Sequence, residues 1–204
     1  MVPGDGDQTP RQIGILLFDG LEELDALGPW EVLSYWCRTH PEDGWAVSCV
    51  SRHGGMVDCA KGLRVESHYS FEDAPQWDVL LHPGGQGVRP LLTDAAHLEW
   101  VRAQRASVPL MTSVCTGALV YAAAGILSTR PATTHIGNLD LLRQLDPTIE
   151  VRSEVRFVDD GDVITAAGVS AGLDMAVHLV SRLAGPARAD QVCRALQYEV
   201  RPPA

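Results

Sequence analysis

An α/β sandwich on a largely parallel sheet is the architecture this 204-residue chain predicts. The first indication is alternation: short apolar, β-friendly runs alternate with amphipathic helical stretches from residue 12 to the C-terminal region. The second is the character of the runs. Gln12–Leu17 and Asp78–His82 are continuously apolar at their centres, as expected of strands buried on both faces by helices. The third is a strand that becomes a helix with almost no loop: Val108–Val114 is followed directly by the Ala- and Leu-rich stretch from Thr116 to Gly125.

In chain order, Gln12–Leu17 is read as the first strand, residues 18–25 as a loop, and Leu27–Tyr35 as a helix with Pro29 in its first turn. Trp45–Val50 is the second strand. Residues 53–67 read as two short β segments around a turn containing Gly62, a hairpin excursion from the main sheet. Asp78–His82 is a strand closed abruptly by Pro83-Gly-Gly-Gln-Gly87. Residues 94–105 have helical spacing, with Leu98, Trp100 and Val101 on the apolar side. The Cys115 strand and helix follow. Ala132–Thr134 is a short strand, and Leu139, Leu141, Leu142 and Leu145 mark a helix. Val151–Val158 and Val163–Ala166 pair across Asp159-Asp-Gly-Asp162. Ala171–Leu183 and Ala187–Gln197 are closing helices. Residues 1–11, polar and Gly/Pro-rich, read as a flexible lead-in, and 12–204 as a single domain.

Composition narrows the function. A net charge of −10 argues against nucleic acid or an anionic membrane as partner. No apolar run approaches the roughly 20 residues that cross a bilayer. Five widely spaced cysteines (37, 49, 59, 115 and 193) form no Cys-x-x-Cys pair, which fits a reducing cytoplasm better than a disulfide framework or a zinc site.

In a parallel sheet the working surface lies beyond the carboxyl ends of the strands. Three segments converge there: the loop with Glu22, Glu23 and Asp25, the Pro83–Gly87 turn, and Cys115. At a strand-to-helix junction Cys115 is forced into a tight turn that projects its side chain, the logic of a nucleophile elbow. The helix end that follows favours the thiolate; the alternative is a buried cysteine acting as a small hydrophobe. The Gly-rich turn lacks the Lys-Ser/Thr of a phosphate loop. It is read instead as bringing the Gly85 amide, with Gly84 beside it, towards Cys115, where it would pair with the Thr116 amide as oxyanion donors. The plainer alternative is a sharp turn. Asp25 is read as either a helix cap or an acid/base group.

Gln12–Leu17, Pro83-Gly-Gly85, Ser113-Val-Cys-Thr-Gly-Ala118, Ala123–Leu127, Ala132–His135 and Gly168–Asp174 together resemble the successive signatures of the ThiJ/PfpI superfamily. Leu24-Asp-Ala-Leu-Gly-Pro29 and Cys-Thr-Gly117 are most similar to its isonitrile hydratase branch, as is the terminal Tyr198–Pro203. The resemblance implies a flavodoxin-like three-layer sandwich of the class I glutamine amidotransferase type, a homodimer and no cofactor. It also implies Cys115 as nucleophile, Asp25 as the acid beside it, and Gly85 and Thr116 as amide donors. The expected reaction is hydration of an isonitrile to an N-substituted formamide. His135 matches a histidine found near the nucleophile in several branches and is read as a catalytic residue that orients or deprotonates Cys115, or else as a hydrogen-bonded structural residue; Ile136 stands where the isonitrile hydratase pattern continues with Trp. Ser170 and Asp174 are read as capping and pocket-wall residues. A glyoxalase or amidase-like activity, and a redox- or ligand-sensing domain, are the alternatives.

Overall fold

In a computed structural model, residues 10–200 are described; most of the expected lead-in, and the end of the terminal signature, lie outside them. The chain runs β1 (Arg11–Leu17), α1 (Glu23–Thr39), β2 (Trp45–Ser51), β3 (Gly55–Asp58), β4 (Arg64–Ser67), β5 (Tyr69–Ser70), β6 (Val79–His82), α2 (Val88–Leu91), α3 (Ala95–Ser107), β7 (Leu110–Val114), α4 (Gly117–Ala123), β8 (Pro131–Ala132), α5 (Leu139–Leu145), β9 (Glu150–Val151), β10 (Phe157–Asp159), β11 (Val163–Ala166), α6 (Ala171–Ala184) and α7 (Pro186–Leu196).

Seven strands form the main sheet in the order β10-β11-β7-β6-β1-β2-β5. All neighbours are parallel except the edge pair β10 and β11. β3 and β4 form a separate antiparallel hairpin, as the turn at Gly62 predicts. The sheet is covered on both faces, and β1 shows why its sequence is continuously apolar. Ile13, Ile15 and Leu17 pack into the layer of α1, α6 and α7, whereas Leu16 packs into the layer of α3, α4 and α5. Gly14 points into the second layer, where a Cβ would lie 2.8 Å from the buried Trp77 ring. This is a flavodoxin-like three-layer α/β sandwich.

Three boundaries differ from the sequence reading. Helix α1 begins at Glu23, so Asp25 lies in its first turn and Pro29 inside it. Proline lacks the N–H that would bond to the Asp25 carbonyl, which made it look like a start signal. Packing overrides that preference: Gly28 seats against Leu173 of α6, and the helix continues through the proline. The strand expected over 151–158 is split. Glu150–Val151 pairs with Pro131–Ala132 in a small separate sheet, and only Phe157–Asp159 joins β11. Finally, the strand leading to Cys115 starts at Leu110, after α3 has run on to Ser107.

Among the described residues no helix is long and apolar enough to cross a membrane.

Candidate active site

Cys115 follows the last residue of β7 and has φ +56°, the left-handed region that L-residues adopt at a cost of roughly 1–2 kcal/mol. Hydrogen bonds on both sides hold it there. Its N–H is shared between the carbonyls of Ala166 and Ala167, at 3.0 and 3.2 Å. Its carbonyl accepts from Thr134 Oγ1 at 2.7 Å. Glycines let neighbouring ribbons approach to backbone contact. A Cβ on Gly117 would lie 2.2 Å from the His82 carbonyl oxygen, and one on Gly84 would lie 2.5 Å from Thr116 N. The Pro83–Gly87 turn therefore presses directly on the elbow. Gly84→Ala is expected to displace Thr116 and cut turnover by about 10²-fold or more, because a misplacement near 1 Å at a reacting centre costs that much. A steady-state assay beside a thermal melt checks this; turnover near that of the wild type would refute it.

Asp25 is fully buried beside the cysteine. Its Oδ2 accepts from Gly84 N–H at 3.0 Å, while Oδ1 has no hydrogen-bond partner among the described residues. The carboxyl and the thiol are close enough for each to shift the other's ionisation. Burial pushes Asp25 up to about 7, against the Gly84 amide, which pulls it down. Burial, and next the Asp25 charge, push the Cys115 thiol up to about 12, although the Thr116 amide favours the thiolate. The expectation that the helix end would ionise this cysteine is thus corrected. Helix α4 has only seven residues, and one amide does not outweigh desolvation next to a carboxylate. Burial thus raises both groups and favours the neutral thiol beside the carboxyl.

The oxyanion pair read from the sequence is also altered. Gly85 has φ +122°, and its N–H donates to Thr116 Oγ1 at 2.9 Å rather than standing free; the Gly84 amide serves Asp25. Of the three amides only that of Thr116 addresses the sulfur. His135 lines the same cavity, of about 180 Å³, as Cys115, Thr116 and Gly85. Its Nδ1 accepts from Gly137 N–H at 3.1 Å, which assigns the proton to Nε2. Gly168 sits so close that a Cβ there would meet the ring at 2.1 Å. His135 is therefore a fixed wall of the cavity, not a hydrogen-bond partner of the sulfur.

Leu119, Leu141, Asn138 and Val169 line the cavity too, with Glu22, Ala60 and Arg89. None but Glu22 carried a signal in the sequence, because loops and helix faces from five parts of the chain supply them. Ser170 and Asp174 are not among the lining residues. Asp174 is buried and bound by Arg156 Nε at 2.6 Å and Tyr198 O–H at 2.7 Å, while Ser170 Oγ accepts from Arg156. They brace the C-terminal segment. Among the described residues no group of three or more His, Cys, Asp or Glu is placed to hold a metal ion.

The sequence model of the DJ-1/PfpI family matches residues 11–182. The chain belongs to this family. Within the DJ-1/PfpI family it is similar to an isonitrile hydratase of Pseudomonas putida, 40% identical over 192 residues that cover 94% of this chain and 80% of that protein. It is 30% identical over 177 residues to the HTH-type transcriptional regulator CdhR of Pseudomonas aeruginosa, matching 87% of this chain but 52% of the regulator. Among solved structures, a ThiJ/PfpI family protein from Pseudomonas syringae superposes with TM-score 0.82 at 29% identity, covering 96% of this chain and 78% of that one. Drosophila melanogaster DJ-1beta shares the fold, with TM-score 0.79 at 21% identity over 93% and 99% of the two chains.

Proposed function

We propose that the chain is a cofactor-independent enzyme that hydrates a small isonitrile to an N-substituted formamide through a thioimidate on Cys115. The observation that carries this reading is the pair itself: a cysteine held on a strained turn beside a fully buried carboxyl, whose pKa burial pushes up to about 7. Similarity to the Pseudomonas putida isonitrile hydratase supports the choice of substrate.

The terminal carbon of an isonitrile must gain both sulfur and a proton. Asp25 takes the thiol proton as sulfur attacks and delivers it to that carbon, leaving R–N=CH–S–Cys115. Water then adds across the C=N bond: oxygen joins carbon, and its proton reaches nitrogen by way of Asp25. Collapse of R–NH–CH(OH)–S–Cys115 expels the sulfur, which recovers the hydroxyl proton, and R–NH–CHO leaves. Substrate plus water equals product, with no electrons to supply. A group that must both accept and donate works best with a pKa near the working pH, which is where burial places Asp25. His135, Leu119 and Val169 would then shape the space for the substituent.

Incubation with a simple isonitrile should yield the formamide, with a transient adduct of substrate mass on the Cys115 peptide. Because Asp25 must be ionised to accept the first proton, kcat/KM should rise with pH to a plateau above about 7 and fall as pH drops through that value. A protein inert to isonitriles that consumes an α-ketoaldehyde or a small amide would move the reading to those classes. Similarity to half of a transcriptional regulator favours ligand sensing if isonitriles bind without turnover. We place this activity in a reducing cytoplasm, consistent with five free cysteines, and in a homodimer, on the family resemblance.

A further inference from the structure

We propose that Lys61, at the tip of the β3–β4 hairpin, is a positioning residue for the reaction: it fixes and neutralises Glu22, leaving Asp25 free to carry the thiol proton. The proposal rests on the function proposed above, but its geometry does not. The hairpin leaves the main sheet and folds back over the segment that precedes Asp25. Asp58 N–H donates to Asp19 Oδ1 at 3.0 Å, and Gly20 N–H to the Asp58 carbonyl at 2.8 Å. Ala60 N–H donates to the Leu21 carbonyl at 2.8 Å, and Lys61 N–H to Glu23 Oε1 at 2.6 Å. The Lys61 ammonium then reaches Glu22 Oε1, with Glu23 Oε2 at 3.5 Å.

The clasp continues inward. Glu22 N–H donates to the Gly84 carbonyl at 2.9 Å, and Leu21 bridges Gly85. Gly84 N–H in turn holds Asp25. A ladder of main-chain bonds therefore runs from the hairpin tip to the reacting carboxyl.

Glu22 is the odd element in this arrangement. It occupies the N-cap position of α1, lines the cavity that holds Cys115, and stands three residues before Asp25. Two carboxylates so placed oppose each other's ionisation, and Asp25 must ionise to act. Glu22 accordingly pushes the Asp25 carboxyl up, and Lys61 pulls it down. Other charged groups are committed elsewhere or lie in the cavity. On α6, Asp174 is bound by Arg156, while His178 and Arg182 grip Asp159. On α7, Arg188 holds Glu42 and Asp43 at the far end of α1. Cys115, His135 and Arg89 share the cavity with Glu22. Among the described residues, the one ammonium brought to Glu22 comes from the hairpin.

The test follows the titration of the Asp25 carboxyl stretch by difference infrared spectroscopy against Asp25→Asn, alongside kcat/KM for an isonitrile. Lys61→Met should move the midpoint up by about half a pH unit or more at low salt, as expected for one unit charge within several ångströms of water-exposed surroundings. Glu22→Gln should move it down, Lys61→Arg should restore it, and Lys61→Met with Glu22→Gln should return close to wild type. The shifts should shrink in 0.5 M salt. Rescue of the lysine variant by Glu22→Gln distinguishes charge compensation from simple loosening of the hairpin. Midpoints unchanged in both single variants, or no rescue in the double, would overturn the proposal. If the carboxyl midpoint shifts as described while no isonitrile is consumed, the role of Lys61 stands and the assigned reaction falls.

Discussion

Asp25→Asn is expected to be a more stable protein and a nearly inactive one. Folding moves this carboxyl from its ordinary value of 3.8 up to about 7. The folded state therefore binds a proton that the unfolded state releases between those values, and stability is lost as pH rises through that window. Fully developed above pH 7, the loss amounts to about 4 kcal/mol at 1.36 kcal/mol per pH unit. Asparagine carries no charge and keeps an oxygen for the Gly84 amide, but its buried NH₂ meets only a weak sulfur acceptor, at a cost near 1 kcal/mol. A net gain of about 2–3 kcal/mol remains, a rise of several degrees in Tm for a domain of this size. The gain should appear at pH 8 and vanish below pH 4. Turnover should fall about 10²- to 10⁴-fold, the usual worth of a positioned proton carrier. Retained turnover would remove Asp25 from the mechanism; a Tm that falls at pH 8 would show that the buried charge costs nothing.

Cys115→Ala should lose formamide production to the uncatalysed level, since no other thiol lines the cavity. It should also raise the Asp25 pKa further above its ordinary range. The thiol beside it helps hold the carboxylate down, and alanine removes it while the burial stays. The carboxyl stretch of Asp25, followed by difference infrared spectroscopy against Asp25→Asn in the same background, reports this directly. A midpoint that moves down would mean that the sulfur, not burial, sets the carboxyl's pKa.

What could be read from the residues alone divides along physical lines. The elbow was legible because a β-branched, apolar run meeting Thr116-Gly-Ala with no intervening loop leaves Cys115 only one kind of backbone. The parallel sheet was legible for a similar local reason: Val79–Leu81 and Ile13–Leu17 are apolar on both faces. The start of α1 was not, since Pro29 carries a start signal and the packing of Gly28 on Leu173 that overrules it comes from residues almost 150 positions away. The state of the thiol was misjudged because burial belongs to the folded molecule, and desolvation outweighs a single helix-end amide. The Gly85 amide was misassigned because its partner depends on how the Thr116 hydroxyl turns. Lys61 gave no signal at all; a lysine in a hairpin turn is ordinarily a solvated residue.

Where Gly84 meets Thr116, Gly87 meets Asp19 and Gly117 meets His82, main chain lies against main chain with no side chain between. Natural variation has almost no purchase on such a skeleton, whereas Leu119, Asn138, Leu141 and Val169 can be exchanged without moving it. Diversification in this architecture should therefore proceed by relining the chamber around an unchanging reactive pair, so that descendants inherit the chemistry and differ in diet.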